Sequence, residues 1–244
     1  RDSARKIVLS IDEFKAAVNQ TAFTASTDTS RPVLTGVYWH TFEGYLYLAA
    51  TDGYRLSEKK VCECDEEISA IITTSSLQEV MRAISDSTEE IEIYIDENQA
   101  EFRIDDIVIV SRLIDGKFVD YRRLIPNDTE TKVEISKPDF MRVVKIAALF
   151  ARDSGGSITI HADGENSKLS IHSIASEFGE NTSEADAEIF GEGEVTLNSN
   201  YLLKGISALN GEDIQFGFSG KLAPTVLKDQ KDPDYIHIIM PLKS

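Results

Sequence analysis

The sequence predicts an α+β protein built from two repeated domains, each with two helices packed on antiparallel sheets. Three observations carry this. Short alternating apolar runs bounded by turn signals dominate the chain. Four segments of helical spacing are set among them. The second half repeats the order of the first.

The elements follow in order. Leu9-Ser10-Ile11-Asp12-Glu13-Phe14 opens a helix whose apolar stripe is Phe14, Ala17 and Val18. Ser10 is its N-cap, with Glu13 three residues on. Val37–His40 and Tyr45–Ala50 flank Glu43-Gly44, a hairpin signal. A second helix runs through Ser76–Ser85, with Val80, Met81 and Ile84 as its stripe, and a strand follows at Ile91, Ile93 and Ile95. Ala100–Arg103 and Ile107–Arg112 form a hairpin around Asp105-Asp106. Asp115 through Asp128 has little periodicity and reads as a connector. The expected domains are residues 1–127 and 128–244, with the boundary near Asn127.

The second half then restarts. Ile135-Ser136-Lys137-Pro138-Asp139-Phe140 repeats the first opening at an offset of 126 residues. Ser136 is the N-cap, and Pro138 suits the first turn. Phe140, Val143, Val144 and Ala147 form the stripe. Ser157–His161 and Lys168–His172 repeat the hairpin idea around Gly164. Leu202, Leu203 and Ile206 align with Val80, Met81 and Ile84, and Ile214, Phe216 and Phe218 form the strand beyond.

Composition bounds the function classes. A chain of 244 residues holds one large domain or two medium ones. Its formal net charge is −17, so non-specific nucleic-acid binding requires a local basic surface. Hydrophobic content of 41% fits a globular chain. No apolar run approaches the roughly 20 residues of a membrane span. Arg1–Arg5 is polar, with no apolar signal segment, and the two cysteines make no disulfide framework. A reducing, cytoplasmic setting is expected.

Most catalytic signatures are missing. There is no phosphate-binding glycine loop, no Gly-x-Ser-x-Gly and no His-Glu-x-x-His. His40, His161, His172 and His237 all fall in strand-like runs, well apart. Cys62 and Cys64 share one strand face but lack further ligands at zinc spacing. Neither a metal nor a cofactor is expected. Glu63 through Glu67 reads as a solvated loop.

The helix cations are more informative. Lys15, Arg82, Arg142, Lys145 and Lys204 lie on predicted helices. Arg142, Lys145 and Leu149 share one face of theirs, and Arg152 follows at the helix end. Taken alone, these are solvated cations, with Arg152 gaining from the helix dipole. The competing reading is a basic track for a phosphate backbone.

Three segments bear on that choice: Ala50-Thr51-Asp52-Gly53-Tyr54-Arg55-Leu56, the connector from Leu113 through Pro126, and the terminal Ile238-Ile239-Met240-Pro241-Leu242. In order and spacing they resemble the signatures of the bacterial sliding clamp family, the beta subunits of DNA polymerase III. The resemblance covers essentially the whole chain. It implies the middle and C-terminal clamp domains, with the family's first domain absent. In the family, three domains per chain and two chains close a ring around duplex DNA. A two-domain chain would complete six domains only as a trimer.

The resemblance implies a non-enzymatic, cytoplasmic and nucleoid-associated processivity factor for DNA replication. It also implies a pocket that docks polymerase, clamp loader and repair proteins through short linear motifs. By position the pocket comprises Leu34, Leu56, Val119, Leu124, Ile238 and Met240 as apolar walls, with Thr51, Gly53, Tyr54 and Pro241. Arg55 and Arg123 would orient peptide carbonyls or an acidic side chain. Read alone, Asp52-Gly53 is a plain hairpin turn with a core-facing Leu56. Val119 stands where the family usually has Pro, and Lys243 and Ser244 depart from its usual tail. Leu149 and Phe150 fall at the family's ring interface. Arg82, Arg142, Lys145 and Lys204 become candidates for sliding, sequence-independent phosphate contacts. Two alternatives stand beside this: a two-domain peptide-binding adaptor that never encircles DNA, and an enzyme with a cleft between the domains.

Overall fold

The structure is a computed structural model describing residues 3–177 and 179–243; Arg1, Asp2, Phe178 and Ser244 lie outside it. The chain divides into two compact units between Val119 and Asp120, within the expected connector.

The first unit opens with β1 (Arg5–Ser10) and α1 (Ile11–Thr21), followed by 3-10 turns at Ala22–Thr24 and Pro32–Thr35. Then come β2 (Gly36–Phe42), β3 (Tyr45–Thr51), β4 (Arg55–Glu63), β5 (Ser69–Thr73), α2 (Thr74–Ala83), β6 (Glu90–Ile95), β7 (Gln99–Ile104) and β8 (Ile107–Arg112). One sheet has the order β1-β6-β7-β8 and the other β4-β3-β2-β5, antiparallel throughout. Ser10 makes the full capping box with Glu13, satisfying an amide that the first turn leaves open. Glu43 and Gly44 both take positive φ, the geometry a two-residue hairpin needs to match strand twist. Phe14, Trp39 and Phe102 meet in the core, each pair with ring centroids 6.3–6.4 Å apart.

The α2 helix differs from expectation. It runs Thr74–Ala83 under a Thr73 N-cap, and Ile84 is an extended C-cap rather than part of the apolar stripe. Thr73 Oγ1 accepts from the Ser76 amide and so starts the helix earlier than the stripe suggested.

The second unit begins with a 3-10 turn at Tyr121–Leu124, then β9 (Thr131–Ser136), α3 (Lys137–Phe150) and a 3-10 turn at Arg152–Ser154. β10 (Ser157–Asp163), β11 (Lys168–Ala175), β12 (Gly179–Asp186), β13 (Glu188–Phe190) and β14 (Gly193–Asn198) follow. The unit closes with α4 (Ser199–Ser207), β15 (Asp213–Phe218), β16 (Thr225–Lys228) and β17 (Tyr235–Ile239). Its sheets run β12-β11-β10-β14 and β13-β9-β15-β16-β17.

The repeat holds in the topology. β1 lies beside β6 as β9 lies beside β15, and β2 pairs with β5 as β10 pairs with β14. In both units a strand runs through a capping Ser directly into the helix after it. Each unit has its own apolar core, so each helix buries one stripe and leaves its charged face outward. In α3, Phe140, Val143, Val144 and Ala147 are buried, whereas Arg142, Lys145 and Leu149 are exposed.

Gly205 lets α4 approach the sheet. A Cβ there would sit 2.6 Å from His237 Cδ2 and 2.8 Å from Leu227 Cδ1. All four histidines lie in strands, and His237 is fully buried with Nδ1 3.1 Å from the Tyr235 hydroxyl.

Candidate functional site

In the first unit the candidates gather at the β3–β4 turn. Asp52 organises it. Its Oδ1 accepts from the Tyr54 and Arg55 amides at 2.9 and 3.0 Å. Thr51 Oγ1 donates to the Arg55 carbonyl at 2.7 Å and accepts from the Gly53 amide at 3.1 Å. Gly53 takes φ +92°, which an L side chain rarely adopts. The turn therefore pushes the Tyr54 ring outward, 63% exposed, while Leu56 turns inward.

Arg55 is committed to this turn. Its Nε donates to Asp52 Oδ2 at 3.0 Å and its Nη2 to the Phe23 carbonyl at 3.3 Å. The guanidinium also lies 5.8 Å from the centre of the Phe23 ring. Leu34 is held buried by the 3-10 turn that Pro32 begins. Val119 follows the buried Phe118 and is half-exposed.

The second unit holds the other candidates. Arg123 and Leu124 lie on its opening 3-10 turn, anchored by the buried Tyr121. Arg123 is solvent-exposed and pairs with Asp120 at 2.7 Å. Ile238 is buried on β17 opposite Val226 of β16. Met240 and Pro241 are half-buried beyond the strand, and the Leu242 amide pins the tail to the Thr196 carbonyl at 2.9 Å.

Arg82, Arg142, Lys145 and Lys204 are exposed, whereas Lys15 on α1 is half-buried. Arg82 on α2 pairs with Glu79, and Arg142 lies 3.6 Å from Asp139. Lys145 and Lys204 make no ion pair among the described residues. They lie on α3 and α4, which pack together. Leu149 is 62% exposed and Phe150 half-buried. Lys145, Leu149, Arg152, Ser199 and Leu203 border a groove of about 540 Å³ between α3 and the start of α4.

One surface escaped the sequence reading. A groove of about 560 Å³ crosses the second unit's sheet, bordered by Pro126, Thr129, Lys132, Phe190, Gly217 and Val226. Phe190 is 72% exposed on β13, a strand of only three residues, too short for a periodic signal. Thr129 crosses over Gly217, where a Cβ would meet its hydroxyl at 2.4 Å.

Electrostatic shifts lie elsewhere. Lys6 and Glu92 stabilise each other's charged forms through a 3.1 Å hydrogen bond, as do Lys168 and Asp186 through theirs. Burial pushes the Cys62 thiol up to about 11, and Cys64 is raised for the same reason.

Comparison with known proteins agrees with the topology. The model of the DNA polymerase III beta subunit central domain matches residues 8–120, and that of its C-terminal domain matches residues 122–243. The beta sliding clamp of Staphylococcus epidermidis is 33% identical over 248 residues, covering 100% of this chain and 65% of that protein. The chain thus spans 65% of the length of the curated relatives it matches. The DNA polymerase sliding clamp of Bacillus subtilis superposes with TM-score 0.93 at 28% identity, covering 98% of this chain and 64% of that one. The DNA polymerase III beta chain of Streptococcus pneumoniae gives 0.91 at 29% identity, covering 99% and 66%.

Proposed function

This chain belongs to the family of DNA polymerase III beta subunits, the beta sliding clamps, and we propose that it acts as a processivity factor. In this reading it forms part of a ring around duplex DNA in the bacterial cytoplasm. It docks polymerase, clamp loader and repair proteins through short linear motifs. It tethers and makes or breaks no bond.

The observation that carries the docking reading is the β3–β4 turn. Its geometry is set internally by Asp52, Thr51 and Arg55, leaving the Tyr54 ring to solvent. A turn fixed before binding loses little entropy on binding. Leu34, Leu56, Val119, Leu124, Ile238, Met240 and Pro241 are the proposed apolar contacts, with Thr51 and Gly53 shaping the rim. Met240 adapts to different partners because its thioether chain is unbranched. Arg123, in an exposed pair with Asp120, would turn to an acidic or carbonyl group of the peptide, and Arg55 would do so from the turn it also positions. Arg82, Arg142, Lys145 and Lys204 would face phosphate, and Leu149 and Phe150 would meet a neighbouring domain of the ring.

Binding of a labelled Gln-x-x-Leu-Phe peptide tests the docking reading. Saturable binding that Met240→Asp abolishes is expected, in roughly the micromolar range, about −8 kcal/mol. No binding by folded wild-type chain would overturn it. The adaptor alternative shares the docking surface and differs in assembly, so sizing of the chain in solution separates the two.

A further inference from the structure

Four rings form a ladder in the first unit, on the face of β2 opposite Trp39. Tyr38 and His40 come from β2, Tyr47 from β3, and Phe118 from the segment after β8. The Phe118 and Tyr38 centroids are 4.8 Å apart at 21°. Tyr38 and His40 are 4.5 Å apart at 8°, and His40 and Tyr47 are 5.7 Å apart at 25°. His40 and Tyr47 are direct cross-strand partners, so the pleat aligns their rings. The Tyr38 hydroxyl reaches Ser69 Oγ at 3.2 Å, tying the ladder to β5.

The far end of the ladder matters most. Asp115–Val119 forms neither helix nor strand, so no sheet register sets where Val119 lies. The Ile114 amide fastens the approach to this segment by donating to the Ile71 carbonyl at 2.9 Å. Gly116 then takes φ +130°, close against Val33. Beyond that turn Phe118 is 6% exposed, and its ring lies on Tyr38. Val119, 44% exposed, is the next residue. Its own side chain does not restrict φ as a proline ring would.

We infer that Tyr38, backed by His40 and Tyr47, is the positioning residue for Val119: the ring ladder clamps Phe118 and thereby holds Val119 in place. The clamp is a property of the unbound chain. Only its consequence for peptide affinity rests on the docking reading above.

The experiment compares wild type, Tyr38→Phe, Tyr38→Leu and Tyr38→Leu/Val119→Pro. Val119 methyl order parameters are measured by NMR relaxation without ligand, and the affinity of the Gln-x-x-Leu-Phe peptide is measured in parallel. Tyr38→Phe keeps the ring stack and loses only the Ser69 hydrogen bond, so it should stay close to wild type in both. Tyr38→Leu should lower the Val119 order parameter and weaken the peptide by about tenfold, the scale of one lost aromatic pair. Val119→Pro should restore affinity in the Leu background, because it fixes the backbone by another route. An unchanged Val119 order parameter in folded Tyr38→Leu overturns the inference. If Tyr38→Leu does not fold, His40→Leu removes the middle of the ladder and decides on the same readout. A lowered order parameter in a chain that binds no peptide supports the clamp and overturns the docking reading instead.

Discussion

Asp52 and Arg55 close the β3–β4 turn on each other. One carboxylate takes the Arg55 amide on Oδ1 and the Arg55 side-chain Nε on Oδ2, both at 3.0 Å. Both side chains are about nine-tenths buried. Removing Asp52 takes away a buried ion pair and the acceptor of two turn amides together. Asp52→Ala should therefore lower unfolding stability by about 3 kcal/mol. Asp52→Asn, which keeps one acceptor, should cost less. Urea unfolding of both variants checks this; equal losses would contradict the ion-pair argument.

Gly205 is a packing residue inside a helix. Alanine normally favours a helix interior by about 1 kcal/mol over glycine. Here the added methyl would meet His237 at 2.6 Å. Gly205→Ala should destabilise the chain by about 1–3 kcal/mol, the usual cost of overpacking. Thermal melting would show it; a raised melting temperature would mean that α4 shifts freely.

Neutralising Arg82, Arg142, Lys145 and Lys204 to Gln tests the DNA-facing assignment. The four side chains are exposed and touch neither core, so the fold should persist. Affinity for duplex DNA at low salt should fall, and the dependence of log K on log salt should flatten by up to about 3–4 units. Fluorescence anisotropy across a salt series reads both. An unchanged slope would remove these residues from the DNA contact, while peptide binding should be unaffected either way.

Cys62 should be a sluggish nucleophile. With its thiol raised to about 11 by burial, alkylation at pH 8 should be roughly a hundredfold slower than that of an exposed thiol. The sign of the linkage follows. The folded value lies above the ordinary 9.0, so the folded chain holds this proton more tightly. That contribution to stability is present below about pH 9 and is lost as pH rises toward 11. Rapid labelling of Cys62 in the native chain would show that β4 opens locally.

Local chemistry made much of this fold readable. Ser10 and Ser136 cap helices because an oxygen three residues before an open amide satisfies it, a relation the sequence states directly. Glu43-Gly44 marks a hairpin because few residue pairs tolerate positive φ in succession. The repeated motifs mark two units, and the Ala50–Leu56 segment marks its turn. Other features depended on distant partners. Ile84 continues an apolar stripe in sequence, yet the helix starts at Thr74 under the Thr73 cap and ends at Ala83. Arg55 reads as a binding group, and that it also bonds Asp52 and the Phe23 carbonyl is visible only in the packed turn. Phe118 meets Tyr38 across eighty residues of chain, and His237 lies beneath Gly205 only because β17 passes under α4. Helix caps, turns and strand alternation act over a few residues and are written into local order. Which side chains are buried, which are occupied and which are left to solvent depends on contacts between segments far apart in the chain, and only the packed structure settles those.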